Sequence, residues 1–188
     1  MKDLRSFPEL ILPVDTVVHR VHRAVNHPWW FSRDANMRFD PLRLPGWGVC
    51  YTSEFPIGAF VEHFQGLSVI DARDIATRRR SRLYLPNDFR LADCTSRKAL
   101  SFGISAEIHS STDFAKTQNW AADFLEAGFD GIRYFARHDP QQDLISYALF
   151  GVGGAQPLFG PTETRRIEPR LLVEAGRLFG ISIFLPAP

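Results

Sequence analysis

Lysine is almost absent from this chain. Only Lys2, Lys98 and Lys116 accompany the arginines among 22 basic residues, and these balance 21 acids to a net charge of +1. With no surplus of one sign the chain carries no general attraction for nucleic acid or for an anionic membrane, so an anionic ligand must be held by a local group. Cysteine is scarce as well. Cys50 and Cys94 lie in apolar, strand-like surroundings without CxxC or histidine spacing, which excludes a disulfide framework and reads as two buried thiols in a reducing compartment. No run approaches ~18 apolar residues, so no membrane-spanning helix is expected. Acids and prolines interrupt the short apolar patch of MKDLRSFPELILPVD, which therefore does not read as a secretory signal, and a cytoplasmic location is expected. The Walker loop, GxGxxG and HExxH are all missing. Of the histidines at 19, 22, 27, 63, 109 and 138, only His19 and His22 are close, and on a strand they point to opposite faces, so no metal is expected.

What the chain does have is apolar mass. Hydrophobic residues make up 45% of 188, with 16 Phe and 4 Trp, enough for a large core in a single domain spanning 1–188. VVHRVH (17–22) and GVCYTS (48–53) alternate as strands, whereas NHPWWFSRDANMRFDP (26–41) reads as an ordered loop. Pro56 suits a first helical turn, and Ile57, Phe60, Val61 and Phe64 follow the spacing of a buried helix face. Residues 74–86 begin helical and end strand-like, 88–95 alternate as a strand, and 111–128 form a helix closed by Gly128. The arginines at 78–82 read as a solvated face, not as a nucleic-acid patch. FDGIRYFA (129–136) and ISYALFG (145–151) read as a strand pair, and 153–188 as a closing strand, helix and strand. Short strands interspersed with helices, without regular βαβ alternation, indicate an α+β fold built on a mixed β-sheet core flanked by helices.

The stretch MRFDPLRLPGWGVCYTSEFPIGAFVEHF (37–64) sets a cation, a phenol and a carboxylate, Arg38, Tyr51 and Glu62, in an otherwise apolar setting. Glu62 lies off the apolar stripe of its helix and leans toward Gly58 and Ala59, which are small enough to leave room for a ligand. Each residue alone has a plain reading, as surface acid, core aromatic and salt-bridge partner.

Several segments together resemble the RES domain: HRV (19–21), RFDP (38–41), GVCY (48–51), AFVEHF (59–64), TQNWA (117–121), GFDGIRYFARHDP (128–140) and ALFG (148–151), in the family's order over roughly 17–152. That resemblance implies a split mixed β-sheet like that of ADP-ribosyltransferase toxins, with a cleft for NAD as substrate and no metal. It implies a bacterial toxin that acts on NAD and is paired with a helix-turn-helix antitoxin. It places the family's arginines on Arg20 and Arg38, its tyrosine on Tyr51 and its glutamate on Glu62. The family's serine position falls on Ala136, which has no hydroxyl, so its role passes to a backbone N–H, a water or His138, or else the site is weakened. In chemical terms Glu62 would hold the ribose hydroxyls as positive charge develops, Tyr51 would stack on nicotinamide, and Arg20 and Arg38 would bind the pyrophosphate, with His138 nearby. Trp29, Trp30 and Phe31 would either shield the site or pack in the core. A non-catalytic NAD-binding or interaction module that kept the fold is the alternative. The sequence leaves open the acceptor of ADP-ribose (water, phosphate or a macromolecule), assembly into a homo-oligomer, and the existence of an antitoxin.

Overall fold

The structure is a computed structural model that describes residues 3–34 and 36–185. In chain order its first elements are β1 (Glu9–Leu12), β2 (Val17–Arg23), β3 (Trp30–Phe31), β4 (Trp47–Ser53), helix α1 (Pro56–His63), β5 (Val69–Asp71) and helix α2 (Ala72–Ala76). They are followed by β6 (Arg78–Tyr84), β7 (Phe89–Asp93), a 3-10 helix (Arg97–Phe102), α3 (Glu107–Ser110) and α4 (Phe114–Glu126). The chain closes with β8 (Gly131–Phe135), β9 (Ile145–Val152), β10 (Gly154–Ala155), β11 (Thr162–Arg165), α5 (Pro169–Phe179) and β12 (Ser182–Phe184).

Eight strands form one mixed sheet in the order β1-β7-β8-β9-β4-β2-β6-β11, with β7 and β8 parallel and the remaining neighbours antiparallel. The sheet is nearly divided. β4 pairs along its whole length with β9, and β2 along its whole length with β6, yet β2 and β4 share one paired position, His19 opposite Ser53. This is the mixed sheet with flanking helices expected from the pattern of short strands and helices.

One face carries the helices. There α4, the 3-10 helix and the N-terminal Leu4 and Phe7 enclose a core of Phe39, Val49, Phe124, Phe129, Ile132, Tyr134 and Phe150. Beside it α1 and α5 bury Val21, Ile57, Phe60, Val61, Leu171 and Ala175. The opposite face is covered by irregular chain, with Trp29 and Phe31 packed against Val18, Cys50, Leu83 and Leu149. Both cysteines are free and buried. No helix among the described residues is long and apolar enough to cross a membrane.

Two readings need correction, and one strand is an addition. The loop at 26–41 contains a short strand, Trp30–Phe31, paired with Gly154 and Ala155. ELIL between Pro8 and Pro13 is an edge strand, β1, paired with β7. The arginine run is not a solvated face: it is β6, where Arg80 is buried against Glu168 and Arg78 donates to His63 Nε2 at 2.8 Å. A strand that pairs on both edges turns alternate arginines inward, and each then needs an internal partner.

Candidate active site

Pro56 at the first turn starts α1, and a reversal through Gln65 (φ 53°) and Gly66 (φ 68°) ends it, so Glu62 falls in the last turn. The negative end of a helix disfavours a carboxylate there by about 0.3–1 kcal/mol, so Glu62 depends on outside partners. It has them. Arg137 N–H donates to Oε1 at 2.7 Å, while Arg38 Nη2 and the Tyr134 hydroxyl each donate to Oε2 at 3.3 Å. The carboxylate is largely buried, its side chain 16% exposed.

Arg38 comes to Glu62 on a loop that is fastened throughout. Thr117 Oγ1 donates to Arg38 O, Gln118 Nε2 to Met37 O at 3.0 Å, and Phe39 N donates to the Tyr51 hydroxyl at 2.8 Å. Arg43, within the PLRLPGW segment, pairs with Asp123 on α4. The Arg38 guanidinium stands over the rings of Phe39 and Tyr134, with its carbon 5.1 and 4.9 Å from their centroids. Its other terminal nitrogen, Nη1, is buried and has no hydrogen-bond partner among the described residues. A charged donor left unpaired in the interior is costly, and this nitrogen is free to meet a further acceptor.

Burial raises the pKa of both Tyr51 and Tyr134, and the neighbouring carboxylates, Asp40 and Glu62 respectively, raise them further. Both phenols stay neutral and keep their protons. The imidazole of His138 packs over Gly66, where any side chain would strike the ring, and burial lowers its pKa while the charge of Glu62 works the other way. His138 therefore stands within reach of the carboxylate's field without bonding to it.

Arg38, Tyr51, Glu62 and His138 thus share one neighbourhood. Arg20 is tied elsewhere, its Nη1 donating to Pro28 O at 2.6 Å, Trp30 O at 2.8 Å and Cys50 Sγ at 3.0 Å. Gly58 and Ala59 do not leave the open space that their size suggests. Both are buried, and a Cβ on Gly58 would meet the Ser53 side chain, so the glycine serves close packing of α1 on β4. Trp29 and Phe31 belong to the core on the other face of the sheet, while Trp30 lines an open groove of about 500 Å³ with Arg33, Asp40 and Trp47.

Sequence reasoning did not single out Tyr134, and it named a backbone N–H as a stand-in for the serine without locating it at Arg137. Tyr134 looked like a strand aromatic, and a backbone donor has no residue signature. No group of three or more His, Cys, Asp or Glu side chains that could hold a metal occurs among the described residues.

A search of curated proteins finds no match. A chain of the M. tuberculosis MbcT–MbcA toxin–antitoxin complex has a similar fold, with a TM-score of 0.64 and 14% identity over 87% of this chain and 90% of that one. Residues 17–164 match the RES domain, a span that includes Arg38, Tyr51, Glu62 and Tyr134, and the chain belongs to that family.

Proposed function

We propose that the protein cleaves the bond between nicotinamide and ribose in NAD, and that it acts as a toxin restrained by an antitoxin. The observation that carries this reading is the Glu62 carboxylate, held on both oxygens beside the unpaired Nη1 of Arg38. Breaking the glycosidic bond leaves positive charge on the ribose. A fixed carboxylate bound to the ribose hydroxyls stabilises that charge more in the transition state than in the ground state. Nicotinamide departs as a neutral ring and needs no acid, only a flat apolar slot, which Tyr51 supplies. Arg38 holds Glu62 with one nitrogen and offers the other to a phosphate or ribose oxygen.

Membership of a family with this residue set supports the assignment, and the fold shared with a chain of a toxin–antitoxin complex supports the antitoxin, taken here as a helix-turn-helix protein. Incubation with NAD, with and without inorganic phosphate, tests the reading when products are resolved by mass. Free ADP-ribose identifies a glycohydrolase, its phosphorylated form a phosphorylase, and mass added to a macromolecule a transferase. If folded protein at micromolar concentration releases no nicotinamide in hours, the reading falls and a non-catalytic module replaces it.

A further inference from the structure

The hydroxyl of Ser146 is fully buried and has no hydrogen-bond partner among the described residues. Proteins seldom keep such a group without a use, because a buried unpaired hydroxyl destabilises the fold. Its position suggests the use. Ser146 lies on β9 directly opposite Tyr134 on β8 and Ser53 on β4. Paired residues project to one face of a sheet, so Ser146 shares a face with Tyr134, as do Ala148 and Phe150, which join Tyr134 in the core.

Ala136 stands on this same face, two residues beyond Tyr134, with its amide bonded to Leu144 O at 2.8 Å. Its methyl is buried at the position where the resemblance places the family's serine, and Ser146 is its diagonal neighbour on the adjoining strand. Ser53 does not compete, since its Oγ already donates to Ile145 O at 2.6 Å. Tyr134 reaches Glu62 across 3.3 Å, long for an O–H···O bond, so the phenol has room to be drawn closer. A hydrogen bond from Ser146 pulls the Tyr134 pKa down against the larger rise from burial, although the two hydroxyls fall short of strict hydrogen-bond geometry.

We propose that Ser146 is a positioning residue of the Glu62 site, donating to the Tyr134 oxygen while Tyr134 keeps its own proton aimed at Glu62. The hydroxyl that Ala136 lacks, just past the end of β8, is thereby supplied from β9. This inference rests on the NAD-cleaving reading above.

The test compares Ser146→Ala, Tyr134→Phe, the double variant, and Ala136→Ser added to Ser146→Ala. Nicotinamide release and thermal melting are the readouts. Ser146→Ala should leave Tm unchanged or raised, since it removes an unpaired buried group, and should lower kcat about tenfold at nearly constant KM, the rate equivalent of one hydrogen bond. On the Tyr134→Phe background it should cost nothing further, and Ala136→Ser should restore part of the rate. An active wild type with unchanged kcat in Ser146→Ala overturns the inference and leaves the NAD reading intact. A loss that adds fully to that of Tyr134→Phe also overturns it, and a wild type that releases no nicotinamide overturns both. Should Ser146→Ala not fold, Ser146→Cys, similar in size and weak in hydrogen bonding, carries the same comparison.

Discussion

Exchanging the Glu62 carboxylate for an amide keeps its volume and one acceptor oxygen but removes the charge that opposes a cationic ribose. Nicotinamide release by Glu62→Gln should therefore fall by about 10²–10³ while the fold holds, checked by steady-state kinetics beside a thermal melt. Tyr51 has a duty that its sequence context did not advertise: its hydroxyl accepts from the Phe39 amide at 2.8 Å and so fixes the loop that carries Arg38. Tyr51→Phe keeps a ring able to stack but leaves that amide unsatisfied, at a cost of about 1–3 kcal/mol. Its melting temperature should drop by several degrees, with a rise in KM; unchanged values for both would remove the loop-fixing role. At this scale the sequence was informative about which side chains meet. Arg38 and Glu62 do converge, because their motifs sit on the loop and helix flanking β4. It was uninformative about Tyr134 and the Arg137 amide, whose contributions arise from cross-strand register and a turn.

Strong periodicity made β2, β4, α1, α4, β8 and β9 readable, since a burial pattern of period 2 or 3.6 is written in the residues themselves. β1 and the parallel pairing of β5 with β12 were not readable, because short strands take their identity from partners distant in the chain. Arg20 shows the same limit. The resemblance assigns it to the pyrophosphate, and the fold gives it a second duty that the sequence did not reveal: its Nη1 bridges β2 to the carbonyls of Pro28 and Trp30, on the segment that enters β3. Arg20→Ala should accordingly lower stability as well as any NAD affinity, leaving part-buried carbonyls without a donor at a cost of up to about 1–3 kcal/mol. Urea unfolding measures this as a lower midpoint at constant slope, and an unshifted midpoint would return Arg20 to a purely ligand-binding role.

For the molecule as a whole, the histidines set a limit in acid. Burial lowers the pKa of His19, His22 and His109 to about 4, and burial helped by the Arg78 charge lowers that of His63 to about 3. All are neutral in the fold, whereas in the unfolded chain they take up protons near 6.5. Stability is thus fully present above pH 6.5 and drains away as pH falls from there toward 4. Each histidine contributes at most about 1.4 kcal/mol per pH unit, less where it is partly exposed. Melting temperature should decline steadily between pH 7 and 5, and a flat profile would show that these rings protonate freely in place. The near-division of the sheet has a mechanical meaning of its own. Under tension directed across the strands, a ladder shares load among many rungs, but β2 and β4 are paired at one position, where His19 faces Ser53. That rung, with the Arg20 to Cys50 contact beside it, is where the sheet should part first, leaving the panel of β1, β7, β8, β9 and β4 whole while β2, β6 and β11 swing away as a leaf.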